Sequence, residues 1–226
     1  NTNDEWDTTT YQISEGSAPA NTAPTLSNLL LSPATASTTD TLVLSYTFDD
    51  VDGDTEAGST IQWFRNSVLE TSLNGMMSIP SSQTEKGENW NVEVTPNDGT
   101  DFGTMVASSS ITIGNSAPIL SSVSIGLSNP GTTDDLSVVN SSSDADAMDA
   151  LTYEYRWYLD GNIQSSLDGL SPLPSFATRN GDSWEIEMRV SDGTDSSAWM
   201  KSSPVVIGST TSNTPPSVDS VTITPS

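Results

Sequence analysis

The chain contains no cysteine and no histidine. The first absence excludes a disulfide framework and a thiolate metal site. The second removes the commonest general base, the usual zinc ligand and every Ser-His-Asp triad. Basic residues are scarce: 6 Lys and Arg stand against 30 Asp and Glu, a net charge of −24. A surface this acidic repels phosphate backbones, so no nucleic-acid partner is expected. Lys86 and Lys201 are the only lysines, which leaves few candidates for a lysine nucleophile. No apolar run approaches the roughly 20 residues needed to span a bilayer, so no membrane insertion is expected in this segment. No signal-peptide pattern opens the chain, and Asn1 in place of Met is expected of a processed or excerpted segment.

Hydrophobic residues make up only 33% of the 226. Low hydrophobicity with high net charge is the composition of disorder. The 6 Trp, 5 Tyr and 4 Phe point the other way, because they recur at fixed places. Displaced by 94 residues, the chain matches itself without a gap. Pro24 falls on Pro118, Thr38-Thr39-Asp40 on Thr132-Thr133-Asp134, Trp63 on Trp157 and Trp90 on Trp184. Asp98-Gly99-Thr100-Asp101 falls on Asp192-Gly193-Thr194-Asp195, and Ile113-Gly114 on Ile207-Gly208. Roughly 30% of the aligned positions are identical, and such a period marks an array. The expected organisation is a closing strand plus linker over 1–22, one repeat over 23–115, a second over 116–213, and the opening strand of a further repeat over 214–226. Tyr11 and Ile13 at one end, and Val218, Val221 and Ile223 at the other, are expected to complete neighbouring repeats. These neighbours belong to the same chain or to identical subunits joined by strand donation.

Within each repeat the pattern alternates and shows no helical stripe. Leu42, Leu44, Tyr46 and Phe48 alternate with polar residues; so do Trp90, Val92 and Val94, and Trp184, Ile186, Met188 and Val190. Tyr153, Tyr155, Trp157 and Leu159 run into Asp160-Gly161, a hairpin signal, and Asn66-Ser67 marks a turn after Arg65. Met105 to Ile113 reads as a returning strand. Seven short strands per repeat predict an all-β fold of tandem immunoglobulin-like antiparallel sandwiches in an elongated array. Trp63, Trp90, Trp157 and Trp184 are expected in the cores, Trp6 and Trp199 nearer the surface.

The residues Asp50-Val51-Asp52-Gly53-Asp54, Ile61-Gln62-Trp63-Phe64-Arg65-Asn66 and Val92 to Asp101 resemble tandem Ig-like repeats of large bacterial and archaeal surface proteins. These are similar to polycystic-kidney-disease-type and cadherin-like modules. The second repeat departs from the acidic pattern, since Asp144, Asp146 and Asp149 lack the glycine and shift the third aspartate.

Carboxylates are the only abundant reactive groups. Asp50, Asp52 and Asp54 lie in one loop of the first repeat, and Asp98 and Asp101 in the last hairpin. Asp144, Asp146, Asp149, Asp192 and Asp195 are their counterparts in the second. In an Ig-like sandwich both loops sit at the pole where the chain enters, beside the linker residues Asn21, Asn115 and Asn213. Hard oxygen ligands in flexible loops suit Ca²⁺, and the resemblance to cadherin-like modules implies the same ion at domain junctions. Asp, Gly and Asn are also ordinary turn formers. No EF-hand spacing is present. Paired carboxylates can hydrolyse glycosides, but an active site is rarely duplicated along an array, so no enzyme is expected. Asn140-Ser141-Ser142 is the one glycosylation sequon. The expected role is an extracellular stalk, fibre or surface-layer segment. The alternatives are an adhesin with a cell-surface, glycan or protein ligand, and an accessory region of a large secreted enzyme.

Overall fold

The computed structural model describes residues 20–208. Trp6, Tyr11, Ile13, Asn213, Val218, Val221 and Ile223, and with them the strands expected in 1–22 and 214–226, lie outside the described residues.

The first repeat holds β1 (Thr25–Ser32), β2 (Leu42–Asp49), β3 (Thr60–Arg65), β4 (Val68–Leu69), β5 (Ser78–Ile79), β6 (Asn89–Thr95), β7 (Val106–Ala107) and β8 (Ile111–Thr112). One sheet runs β1-β2-β5; the other runs β4-β3-β6-β7, with β8 also on β6. Neighbours are antiparallel, with Trp63 opposite Val92 and Leu26 opposite Phe48. In β6 the residues alternate strictly, and Trp90, Val92 and Val94 point inward. Leu42 and Leu44 of β2, in the other sheet, are buried as well. This is the immunoglobulin-like sandwich, two antiparallel sheets closed on one apolar layer.

The second repeat follows at the same spacing: β9 (Ile119–Ile125), β10 (Val138–Ser143), β11 (Thr152–Leu159), β12 (Asn162–Ile163), β13 (Ser183–Ser191), β14 (Met200–Lys201) and β15 (Val205–Val206). β9 pairs β10, while β12-β11-β13-β14 form the larger sheet with β15 on β13. Its core joins Leu120, Val123, Ile125, Leu136, Trp157, Leu173, Trp184, Ile186, Met188, Val190 and Ile207. Trp157 and Trp184 meet edge to face at 6.2 Å.

The two copies repeat bonds as well as strands. The indole N–H of Trp63 donates to the Met76 carbonyl at 2.9 Å, and that of Trp157 to the Leu170 carbonyl at 2.9 Å. Ser108 and Ser202 play one role: each hydroxyl accepts the facing backbone N–H, of Val92 and of Ile186. A side-chain acceptor thus replaces a ladder carbonyl. For that reason Met105 to Ile113 is two short strands and not the single strand expected. The hairpin turns Asn66-Ser67 and Asp160-Gly161 have positive φ at both residues, the geometry of a type I′ turn. Tyr153, in phase with Trp157 in β11, is 40% exposed, and its hydroxyl lies 3.2 Å from that of Ser142.

By contact, the described chain divides into two compact units. Leu42–Ile79 and Asn89–Ile111 join the residues before Thr35 in one. Thr35–Thr41 and Pro80–Glu88 join the residues from Thr112 onward in the other. Among the described residues no helix is long and apolar enough to cross a membrane.

Candidate metal centre

In the first unit the entry segment ties two acidic loops together. The Asn21 side-chain amide donates to Asp98 at 3.0 Å and to Asp101 at 2.9 Å. The next residue, Thr22, donates its backbone N–H to Asp52 at 2.6 Å. Each loop also folds on its own carboxylate, the ordinary behaviour of Asp in a turn. Asp50 Oδ1 accepts the N–H of Asp52 at 2.8 Å and of Asp54 at 3.3 Å. Asp98 Oδ1 accepts the N–H of Thr100 at 2.7 Å and of Asp101 at 2.8 Å. The backbone N–H of Asp101 and the Asn21 amide hold the Asp98 carboxyl below its ordinary range, because they favour its charged form.

The second unit builds the same pole from the residues 94 positions on. Asn115 donates to Asp192 at 2.9 Å and to Asp195 at 2.8 Å. Ser116 donates its backbone N–H to Asp146 at 2.8 Å. Asp144 Oδ1 accepts the N–H of Asp146 at 2.8 Å, and Asp192 Oδ1 the N–H groups of Thr194 and Asp195, both at 2.6 Å. Asn115 first, then the Asp195 backbone, holds the Asp192 carboxyl low.

All ten expected acidic residues therefore stand in the two entry poles, as do Asn21 and Asn115. Asp54 contributes a backbone N–H to its loop, and its exposed side chain stands apart. The third aspartate of the second loop is closer in: oxygens of Asp144, Asp149 and Asp192 all lie within 4.8 Å of one another. In both poles the same oxygen is stranded. Asp50 Oδ2 and Asp144 Oδ2 are buried and have no hydrogen-bond partner. A buried carboxylate oxygen without a partner is costly, and the three carboxylates gathered in the second pole offer only oxygen to a metal. These residues fit a hard cation.

The second unit adds two residues that sequence reasoning missed. Thr38 donates its hydroxyl to Asp146. Lys86 donates its ammonium to Asn115 Oδ1 at 2.6 Å and to Asp149 at 2.7 Å. The bond to Asp149 outweighs desolvation and pushes the Lys86 ammonium above its ordinary range. Thr38 and Lys86 reach the pole from segments far away in sequence, so no local motif announces them.

No family model matches the chain. No curated protein matches it either. Among solved structures it is similar to the FN1-FN3 domains of chicken CNTN1, with 8% identity and a TM-score of 0.37 over 83% of this chain and 65% of that one. It is also similar to a two-domain fibronectin type-III segment of chicken tenascin, with 12% identity and a TM-score of 0.34 over 80% and 98%. A third similar structure is that of the fibronectin(III)-like modules of Clostridium thermocellum CbhA, with 11% identity and a TM-score of 0.26 over 80% and 94%. The chain holds two successive immunoglobulin-like β-sandwich repeats, an assignment that rests on its own strand order and register.

Proposed function

We propose that this chain is a non-catalytic spacer segment of a prokaryotic extracellular surface protein, a stalk, fibre or surface layer, whose acidic poles bind Ca²⁺. Its partners are neighbouring repeats, of the same chain or of identical subunits. One observation supports the metal: the same pole occurs twice, with the same buried carboxylate oxygen unsatisfied in each. Asp50, Asp52, Asp98 and Asp101 would hold the ion in the first unit; Asp144, Asp146, Asp149, Asp192 and Asp195 would hold it in the second. Asp54, exposed in the same loop as Asp50 and Asp52, would join them. The ion would neutralise carboxylates that the turns force together and fix the entry segment to both loops. Fixing that segment is what a spacer needs. Among the described residues, the exposed aromatics Phe102, Phe176 and Tyr153 sit on separate segments.

The test is thermal melting of chelator-stripped protein against added calcium. A ligand that binds only the folded state stabilises by about 2.7 kcal/mol at a hundred times its Kd. Calcium should raise Tm, and Asp50→Asn with Asp144→Asn should remove the rise. An unchanged melting curve would leave the loops as solvated turns and sink the metal.

A further inference from the structure

We propose that Lys86 is the resident cation of the second pole and weakens metal binding there. Lys86 and the pole it enters belong to one compact unit. Its ammonium lies 2.7 Å from Asp149 and 2.6 Å from Asn115 Oδ1. Asp149 is one of the three carboxylates gathered within 4.8 Å. Asn115 is the amide that bridges Asp192 and Asp195. One positive charge thus touches both acidic loops' anchors, the place a metal would be drawn to. The residue 94 positions after Lys86 is the neutral Asn180, so the lysine is not part of what the chain repeats.

Two consequences follow from elementary electrostatics. The carboxylates of the second pole are partly neutralised by Lys86 without any ion, so this pole tolerates chelation better than it would without the lysine. A divalent ion must also compete with the ammonium. It can do so, because Lys86 lines an open groove of about 730 Å³ with Glu85, Asp146 and Asp149 and has room to swing out. The Lys86 side chain is 35% exposed and that of Asp149 19%, so the pair is held at the surface and is exchangeable.

The metal arm of the test rests on the calcium reading; the second arm does not. The full 226-residue chain carrying Asp50→Asn, which disables the first pole, is titrated with calcium by calorimetry. Lys86→Met should tighten binding roughly fivefold, the scale of one surface ion pair, and Lys86→Arg should not. Unchanged affinity in Lys86→Met overturns the proposal. In the second arm melting is followed in chelator, without metal. Lys86→Met should lower Tm, and adding Asp149→Asn should restore part of the loss, since an uncompensated carboxylate is what costs. Equal melting of parent and Lys86→Met overturns the resident-cation role. Loss and rescue in chelator, with no calcium bound by any variant, would defeat the calcium reading and leave the Lys86 assignment standing.

Discussion

The outer face of the larger sheet carries a basic cluster in one repeat and none at the same places in the other. In the second, Arg156 and Arg189 lie over the Trp199 ring at 3.8 and 4.8 Å. Arg189 pairs with Glu154 at 2.7 Å, Lys201 with Glu185 at 2.7 Å and Arg156 with Glu187 at 3.5 Å. The corresponding residues of the first repeat are Gln62, Thr95 and Met105, with Ala107 at the place of Lys201. Half of the chain's 6 basic residues therefore stand on one sheet face of one repeat. The cores and poles, in contrast, share their main hydrogen bonds: Trp63 matches Trp157, Asn21 matches Asn115, and Thr22 matches Ser116. What recurs is the frame that sets strand positions and gathers carboxylates at the entry; what varies is the face and the cation. A feature present in both copies is explained by the sandwich itself, and a feature present in one needs its own explanation.

The strongest test of that equivalence lies in the cores. Trp63 and Trp157 are both 0% exposed, and their indoles donate to corresponding carbonyls. Trp63→Ala and Trp157→Ala should each cost about 3–5 kcal/mol, read by denaturant unfolding. A large inequality would mean that the two cores are not energetically alike, whatever their geometry.

The next test concerns a paired difference. At the last hairpin the first repeat has Pro96 and Gly103 where the second has Val190 and Ser197. In the second, the Val190 N–H donates to the Ser197 hydroxyl at 3.1 Å. Pro96 has no N–H to satisfy, so no hydroxyl is needed, and Gly103 lets the hairpin close on the entry strand. A Cβ at Gly103 would stand 1.9 Å from the Pro24 carbonyl oxygen. Gly103→Ala should therefore cost about 1–3 kcal/mol through forced backbone movement. Ser197→Ala should cost about 1 kcal/mol through one lost acceptor. If Gly103→Ala melts like the parent, the close approach carries no weight.

Acid should act on both poles alike. Asp98 and Asp192 have carboxyls held below the ordinary carboxylate range by the N–H groups that reach them. A carboxyl lowered in the folded state lends stability above its unfolded pKa, and loses it as pH falls through the lowered folded one. Stability should thus decline below about 3.8 as these groups protonate. Asp98→Asn and Asp192→Asn should each flatten that decline, measured as Tm against pH. A decline unaltered by both substitutions would place its origin elsewhere.

Much of this was legible in the sequence, and the gaps have physical causes. Alternation located Trp63, Trp90, Trp157 and Trp184 in the cores because strand period fixes the face of every residue. Period says which side a residue takes but not how far the facing sheet extends: Tyr153 is in phase with Trp157 yet 40% exposed. The acidic loops and the linker asparagines were legible because turn chemistry is local. Lys86 was not, because 63 positions separate it from Asp149 and only folding brings them together. The break in the closing strand was written in Ser108 and Ser202, but a serine reads as an acceptor for its neighbour's N–H only once register is known.

The finest comparison lies in the two hairpin turns, where one residue separates a relaxed backbone from a strained one. Asp160 and Gly161 have φ of 48° and 78°; Asn66 and Ser67 have 51° and 66°. Asn and Asp tolerate the left-handed region and glycine enters it freely, but serine pays about 1–2 kcal/mol there through its Cβ. Ser67 is exposed, so its hydroxyl gains little in return. Ser67→Gly should relieve that strain, offset by the larger entropy glycine loses on folding, about 0.5–1 kcal/mol. The net gain should be about 0.5 kcal/mol of stability, the difference of those two ranges. Gly161→Ser should lose a similar amount. Both are read from denaturant midpoints at constant slope, so that the change reflects stability and not a change in surface exposed. If Ser67→Gly lowers the midpoint, the turn is held by something the serine supplies, and the two hairpins are not interchangeable.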